Sequence, residues 1–349
     1  MMKNIRVLIV DDSAFMRKVL SDILLSHENI TAVDTARNGK AALEKVKEFD
    51  PDVVTMDIEM PEMNGLQALK EIMSFSPRPV LMLSSLTKTG AESTIKAMEL
   101  GAVDFIPKPS GSISLDIQKI KDEIIEKVLA ASQVPFKNMK KKNSFAPPTT
   151  TSFEGGKEKY IVAIGTSTGG PRALQMVLRG LPRNLPAPVV VVQHMPPNFT
   201  KSLANRLDMI AEINVKEAEN GDILRDGTVY IAPGGFHMEF VQKGKTLAVK
   251  LSQRDPVKGH RPSVDVMFES IAAQTTFKTI AIVMTGMGSD GAKGVIKLKE
   301  TSMDTIVMTE SENTSVVYGM PKAVKRTGLT DYSEDLDAIS SKIIEQLEK

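Results

Sequence analysis

The chain has 349 residues, enough for two domains of the usual size of about 100–200 residues, and its 44 Lys+Arg against 43 Asp+Glu leave a net charge of +1, so whole-chain electrostatics favour neither nucleic acid nor an anionic membrane as partner. Cysteine is absent and histidine occurs only at His27, His194, His237 and His260, with no H-E-x-x-H, which excludes disulfides, thiolate metal sites, a cysteine nucleophile and a His-rich metal centre. No run approaches the roughly 18–20 apolar residues of a membrane span, and Ile5–Val10 is too short for a signal h-region, so a cytoplasmic protein without membrane insertion is expected.

Along residues 1–125, short β-rich apolar runs (Ile5–Val10, Val53–Met56, Val80–Leu83, Val103–Ile106) alternate with helix-period segments (Ala14–Leu25, Lys40–Lys47, Leu66–Met73, Glu92–Leu100, Ile117–Leu129). Such alternation predicts βαβ units around a parallel sheet. Asp11-Asp12 follows the first strand and Asp57 follows the Val53–Met56 strand, so a parallel sheet brings three carboxylates to its carboxyl edge, where α/β folds place ligands. Their mutual repulsion calls for a hard divalent cation, and Mg²⁺ suits such an oxygen-rich site with few protein ligands. A metal there prepares a carboxylate for phosphoryl transfer by neutralising the transferring oxygens. Ser84 and Lys108 end the next two strands and add a hydroxyl and a cation to the same edge. Taken singly, Asp11-Asp12 reads as a helix cap and Lys108 as a surface lysine; it is the ordered set that points to a site.

The segment 126–159 carries 7 basic and 3 acidic residues and holds Lys140-Lys141-Lys142, Pro147-Pro148, Thr149-Thr150-Thr151-Ser152 and Gly155-Gly156. With little to bury, it reads as a linker. Residues 160–349 return to the α/β style, with continuous apolar strands at Ile161–Ile164, Val189–Val192 and Ile280–Met284. Between the last two, Val229–Ala232, Met238–Val241 and Leu247–Leu251 are shorter strands joined by glycine-containing turns, which predicts an antiparallel excursion.

After Ile161–Ile164 the chain reads Gly165-Thr166-Ser167-Thr168-Gly169-Gly170-Pro171, a Gly-rich turn running into a helix. No G-x-x-x-x-G-K-[ST] is present, and a dinucleotide fingerprint is disfavoured because Ser167 fills its middle glycine and the next strand ends in Gln193-His194 instead of an acid. Gly165-x-Ser167-x-Gly169 matches a nucleophile turn. His194 and Asp290 each follow another predicted strand, so parallel strands collect a serine, an imidazole and a carboxylate at one edge. A serine hydroxyl needs that imidazole to take its proton and that carboxylate to fix the tautomer. The order Ser, His, Asp along the chain differs from that of α/β-hydrolases, so the motif does not imply that fold. Backbone N–H groups after Ser167 and in Gly286-Met287-Gly288-Ser289-Asp290-Gly291 are candidate oxyanion donors. Asp290 also fits an ordinary Asp-Gly turn. His27 near a helix end and His237 in a strand read as structural, whereas His260, just before a helix, is a candidate for lining a substrate groove.

The ordered Asp-Asp, Asp, Ser and Lys-Pro of residues 4–125 resemble a response-regulator receiver domain. With Gly165–Pro171, Gln193-His194-Met195-Pro196 and Met284–Gly291 behind it, the whole chain resembles the chemotaxis methylesterase family, CheB. The resemblance implies a five-stranded doubly wound (βα)5 receiver of flavodoxin-like type at 1–125 and a doubly wound catalytic domain at 160–349, its sheet mainly parallel with an antiparallel hairpin. It further implies Asp57 as phospho-acceptor, Asp11, Asp12 and Asp57 around Mg²⁺, and Ser84, Phe105 and Lys108 as the receiver switch. In the second domain it implies Ser167 as nucleophile, His194 as general base, Asp290 as orienting carboxylate, and Thr168 and Met287 at the oxyanion hole. The implied substrates are γ-glutamyl methyl esters and certain glutamines of methyl-accepting chemoreceptors, and the implied phosphodonor is a sensor histidine kinase. A receiver-gated module that only docks on receptors is the alternative to an enzyme.

Overall fold

A computed structural model of the chain describes residues 4–108, 117–134, 153, 159–274 and 276–349. The chain divides into two compact units, Met1–Lys142 and Asn143–Lys349. The segment 126–159 begins inside a helix that continues to Ser132, and most of the rest of it lies outside the described residues. Among the described residues no helix is long and apolar enough to cross a membrane.

In the first unit five strands, β1 (Ile5–Val10), β2 (Ile30–Ala36), β3 (Val53–Asp57), β4 (Val80–Ser84) and β5 (Asp104–Pro107), form one parallel sheet in the order β2-β1-β3-β4-β5. Helices α1 (Ala14–Leu25), α2 (Gly39–Phe49), α3 (Gly65–Phe75), α4 (Lys88–Glu99) and α5 (Ile117–Ser132) alternate with them. The first four helices start where the sequence offers a cap, on Ser13, Asn38, Asn64 and Thr87, each accepting a backbone N–H of the first turn. Strands β3 and β4 are buried along their whole length, as central parallel strands must be. The strand order reverses at β1 and β3, so the carboxyl ends of those two strands flank the crevice where such sheets bind ligands. Gly65 lets α3 start against β3: a Cβ there would collide with the Asp57 carbonyl oxygen.

The second unit has a seven-stranded sheet made of β6 (Tyr160–Thr166), β7 (Val189–Gln193), β8 (Asn214–Glu217), β9 (Thr228–Ile231), β12 (Lys278–Val283), β13 (Ile306–Glu310) and β14 (Tyr332–Glu334). All pairs are parallel, in the order β14-β13-β12-β6-β7-β9-β8. Strands β10 (His237–Lys243) and β11 (Thr246–Ser252) form a separate antiparallel hairpin. The antiparallel excursion is therefore narrower than the sequence suggests. Residues 228–231 join the main sheet in parallel beside β7 and β8, because a short apolar run carries no mark of strand direction.

Helices α6 (Gly170–Arg179), α7 (Phe199–Ile210), α8 (Val264–Ala272), α9 (Ala292–Thr301), α10 (Met320–Lys325) and α11 (Ile339–Leu347) complete the unit. The core gathers Ile161, Val190, Ala281 and Val283 from the sheet with Phe268, Val295 and Leu298 from the packed pair α8 and α9. From β6 the sheet continues through β7, β9 and β8 on one side and through β12, β13 and β14 on the other. The topological switch point thus lies at the carboxyl ends of β6 and β12.

Candidate active site

In the first unit Asp11 and Asp57 are buried and Asp12 is exposed, and carboxylate oxygens of the three lie within 4.8 Å of one another. Helix α1 is capped by Ser13, whose N–H donates to Asp11 Oδ1 at 2.9 Å, so the acidic pair is not spent as a helix cap. Lys108 Nζ bridges Asp11 Oδ2 at 3.0 Å and Asp57 Oδ2 at 2.7 Å. Burial pushes the Asp57 carboxyl up, and Lys108 offsets part of that. Burial alone would depress the Lys108 ammonium, but Asp57 and Asp11 outweigh it and hold the lysine charged. Such an acidic cluster is typical of a receiver Mg²⁺ site. Ser84 ends β4 with its hydroxyl turned to α4, donating to the Gly90 carbonyl at 3.1 Å and accepting from Thr94 Oγ1 at 2.7 Å. Phe105 is buried, with Lys127 Nζ 5.2 Å from its ring centroid.

The second site grows from the switch point of the larger sheet. Strand β6 ends in Thr166, and Ser167, half-buried, begins the turn into α6. The loop after β12 passes directly beside it. Gly286 is so close that a Cβ there would stand 2.8 Å from Ser167 Cβ. Strand β7 delivers His194, whose backbone N–H donates to the Thr166 carbonyl at 3.2 Å, and the Gln193 amide steadies the turn by donating to the Ser167 carbonyl at 3.0 Å.

His194 Nε2 lies 2.8 Å from Asp290 Oδ2. Because an ionised carboxylate only accepts, Nε2 carries a proton toward Asp290, and in the neutral ring Nδ1 is the nitrogen with the lone pair. That Nδ1 is buried with no hydrogen-bond partner. The ring of His260 lies over the His194 ring, centroids 3.8 Å apart and planes 11° apart. Of the other two histidines, His237 is buried with Nε2 on the Asp255 carbonyl, and His27 Nδ1 accepts the Asn29 N–H.

Asp290 is buried at the start of α8. Its Oδ1 accepts the Ser263 hydroxyl at 2.9 Å and the Asp265 N–H at 3.0 Å, and its Oδ2 accepts the Val264 N–H at 2.7 Å as well as His194. Burial opposes the charge, but the His194 contact and the helix N–H groups outweigh it and hold the carboxyl well below the usual range. Asp265 returns the arrangement, since its Oδ1 accepts the N–H groups of Gly291 and Gly294, each at 2.8 Å, at the start of α9, and its Oδ2 pairs with Lys258 at 2.8 Å. Two buried carboxylates thus cap each other's helices. Sequence reading finds Asp290 but not Ser263 and Asp265; the only local signal is a serine N-cap with an acid two residues on.

Asp11, Asp12, Asp57, Ser84 and Lys108 fall at the carboxyl edge of the first sheet and Ser167, His194 and Asp290 at that of the second, while Phe105 lies within β5. Thr168 is buried immediately after Ser167, and Met287 is half-buried immediately after Gly286. A positioned serine, an imidazole with a free basic nitrogen and a carboxylate fixed on a helix N-terminus suit acyl transfer.

Residues 162–343 match the CheB methylesterase family and residues 7–119 the response regulator receiver domain family. The protein-glutamate methylesterase/protein-glutamine glutaminase of Oceanobacillus iheyensis is 52% identical, covering 99% of this chain and 100% of its own length. That of Geobacillus kaustophilus is 53% identical and covers 99% of each chain. The crystal structure of the Thermotoga maritima CheB methylesterase catalytic domain, 47% identical, aligns at a TM-score of 0.52 over 54% of this chain and 99% of that one. Likeness at this level runs through both units and nearly end to end: the chain belongs to the CheB family of protein-glutamate methylesterase/protein-glutamine glutaminases with a receiver domain, enzymes of chemotactic adaptation.

Proposed function

We propose that Ser167, His194 and Asp290 carry out the acyl transfer of this methylesterase and glutaminase. The observation that carries this reading is the His194 Nε2 to Asp290 contact of 2.8 Å, which leaves a buried, unpartnered Nδ1 at the strand edge where the Ser167 turn begins. Ser167 Oγ attacks the γ-carbonyl of a methylated receptor glutamate and passes its proton to His194 Nδ1. Asp290 stabilises the imidazolium, and the backbone N–H groups of Thr168 and Met287 receive the oxyanion. The C–O bond then breaks as His194 protonates the leaving methoxide, releasing methanol. Water activated by His194 cleaves the acyl-serine to the free glutamate. With a receptor glutamine as substrate, the C–N bond breaks in the same step and ammonia leaves.

Asp57 is the phospho-acceptor in this reading, with Asp11, Asp12 and Asp57 as Mg²⁺ ligands. The metal, when bound, neutralises charge on the transferring phosphoryl oxygens. The oxygen-only donor set within 4.8 Å fits that ion. Lys108 contacts the new phosphate, and Ser84 and Phe105 respond to it. The donor is a sensor histidine kinase, the substrates are chemoreceptor cytoplasmic helices, and the protein works in the cytoplasm. Phosphorylation relieves a block on the catalytic domain, adding charge at an edge where Ser84 and Phe105 are now held inward.

Methanol release from methylated receptor membranes tests the triad. Ser167→Ala is expected to lower kcat by on the order of 10⁶-fold while Asp57 still accepts phosphate. Normal turnover by this variant would sink the serine mechanism and favour the docking-module alternative.

A further inference from the structure

Glu310 ends β13, is fully buried, and has no part in the chemistry above. Its Oε2 accepts the N–H of Thr285 at 2.8 Å, and its Oε1 is buried without a hydrogen-bond partner. Thr285, in the loop after β12, touches all three residues of the nucleophile turn. Its carbonyl accepts the Ser167 N–H and the Thr166 hydroxyl, each at 3.0 Å, and its hydroxyl donates to the Thr168 carbonyl at 2.9 Å. The same hydroxyl accepts the Val317 N–H at 2.9 Å, tying in a second loop. Glu310 therefore fixes the N–H of a residue that bonds all three positions of the turn.

We propose that Glu310 is a positioning residue for acyl transfer, holding Thr285 so that Ser167 and the Thr168 N–H keep the geometry the tetrahedral intermediate requires. The inference rests on the reading of Ser167 as nucleophile and Thr168 as oxyanion donor. A buried carboxyl is unfavourable beside an apolar side chain of similar volume. Its role lies in what its oxygen holds, and a displacement of about 1 Å at a nucleophile lowers turnover by roughly 10²-fold.

The test uses the full chain and methanol release from methylated receptor membranes, with Ser167→Ala as control. Glu310→Met keeps the volume and deletes the acceptor; it is expected to lower kcat by about 10- to 100-fold with KM within about twofold. Its thermal midpoint is measured alongside, because the orphaned Thr285 N–H lowers stability while the removed buried carboxyl offsets part of that loss. Glu310→Gln, whose amide oxygen accepts the same N–H, is expected to keep kcat within about threefold. Thr285→Val gives an independent reading by deleting the hydroxyl and is expected to lower kcat with KM unchanged, whereas Thr285→Ser keeps most of it. Wild-type kcat in Glu310→Met or in Thr285→Val overturns the proposal, as does a folded Glu310→Gln that falls as far as Glu310→Met. Should Glu310→Met not fold, the Gln and Val variants decide alone. An active Ser167→Ala would overturn the nucleophile reading itself, and is scored separately from the Glu310 outcome.

Discussion

Asp290 performs two tasks with one carboxylate. It fixes the His194 tautomer through Oδ2 and accepts the Ser263 hydroxyl and the first backbone donors of α8. Asp290→Asn is expected to lower kcat by roughly 10³–10⁴-fold, since an amide facing Nε2 reverses the tautomer preference. The lowered folded value also sets a sign for stability. The ionised form stabilises the fold at every pH above the ordinary carboxyl value of about 3.9, and this contribution is lost as the pH falls through the lower folded value. Acid denaturation of Asp290→Asn is expected to lack that limb. His260, a candidate groove residue from its place before a helix, covers a face of His194. His260→Phe, which keeps a stacked ring, is expected to retain more activity than His260→Ala in the methanol assay. Neither the stack nor the Thr285 hub is legible in sequence, because each joins residues from different strands and loops.

At the scale of elements, the reciprocal caps make α8 and α9 one unit. Removing either acid orphans helix N–H groups in a buried place. Asp265→Ala strands the Gly294 N–H, leaves the Gly291 N–H only its longer bond to Asp290 Oδ1 at 3.1 Å, and unpairs the partly exposed Lys258, and a loss of about 2–3 kcal/mol in urea unfolding is expected. Asp265→Asn, which still offers an oxygen to the two glycines, is expected to lose less. Activity should fall along with stability in Asp265→Ala, because the Asp265 carboxylate ties the start of α9, next to Asp290, to the N-terminal end of α8 whose N–H groups hold Asp290. The helix that follows His260, here α8, and the continuous apolar runs that marked β6, β7 and β12 come straight from the sequence. So does the β10–β11 hairpin, whose Gly244 takes a φ of 62° in a two-residue turn. The parallel course of β9 does not, since direction is set by which strand edge is open once the sheet has begun to assemble.

For the whole molecule, Glu310 links the catalytic unit's stability to pH in the opposite sense from Asp290. Burial pushes its carboxyl up to about 7 from 4.5, against the opposing effects of the Thr285 N–H, the Thr314 hydroxyl and Arg172, while Asp335 adds to the rise. The folded chain thus binds a proton that the unfolded chain has released, so stability falls as the pH rises between those values and the full cost stands above them. The unfolding free energy from urea titration is expected to be higher at pH 5 than at pH 7.5, by about 2 kcal/mol, and the difference should shrink in Glu310→Gln. An equal decline in that variant would refute the assignment. Regulation also belongs to this scale. A phosphodonor with Mg²⁺ is expected to raise methanol release by the wild-type chain, and Asp57→Asn is expected to abolish the response. The amino-acid sequence by itself determined two α/β units, the acidic receiver cluster and the serine, histidine and aspartate set, because parallel strands deliver their following residues to one edge wherever the strands lie. Only the tertiary structure decided which neighbours tune those groups: the helix ends that Asp290 and Asp265 cap, the ring on His194, and the buried carboxyl behind Thr285. Those contacts join segments far apart in the chain, and their geometry is set when the sheet and its helices pack.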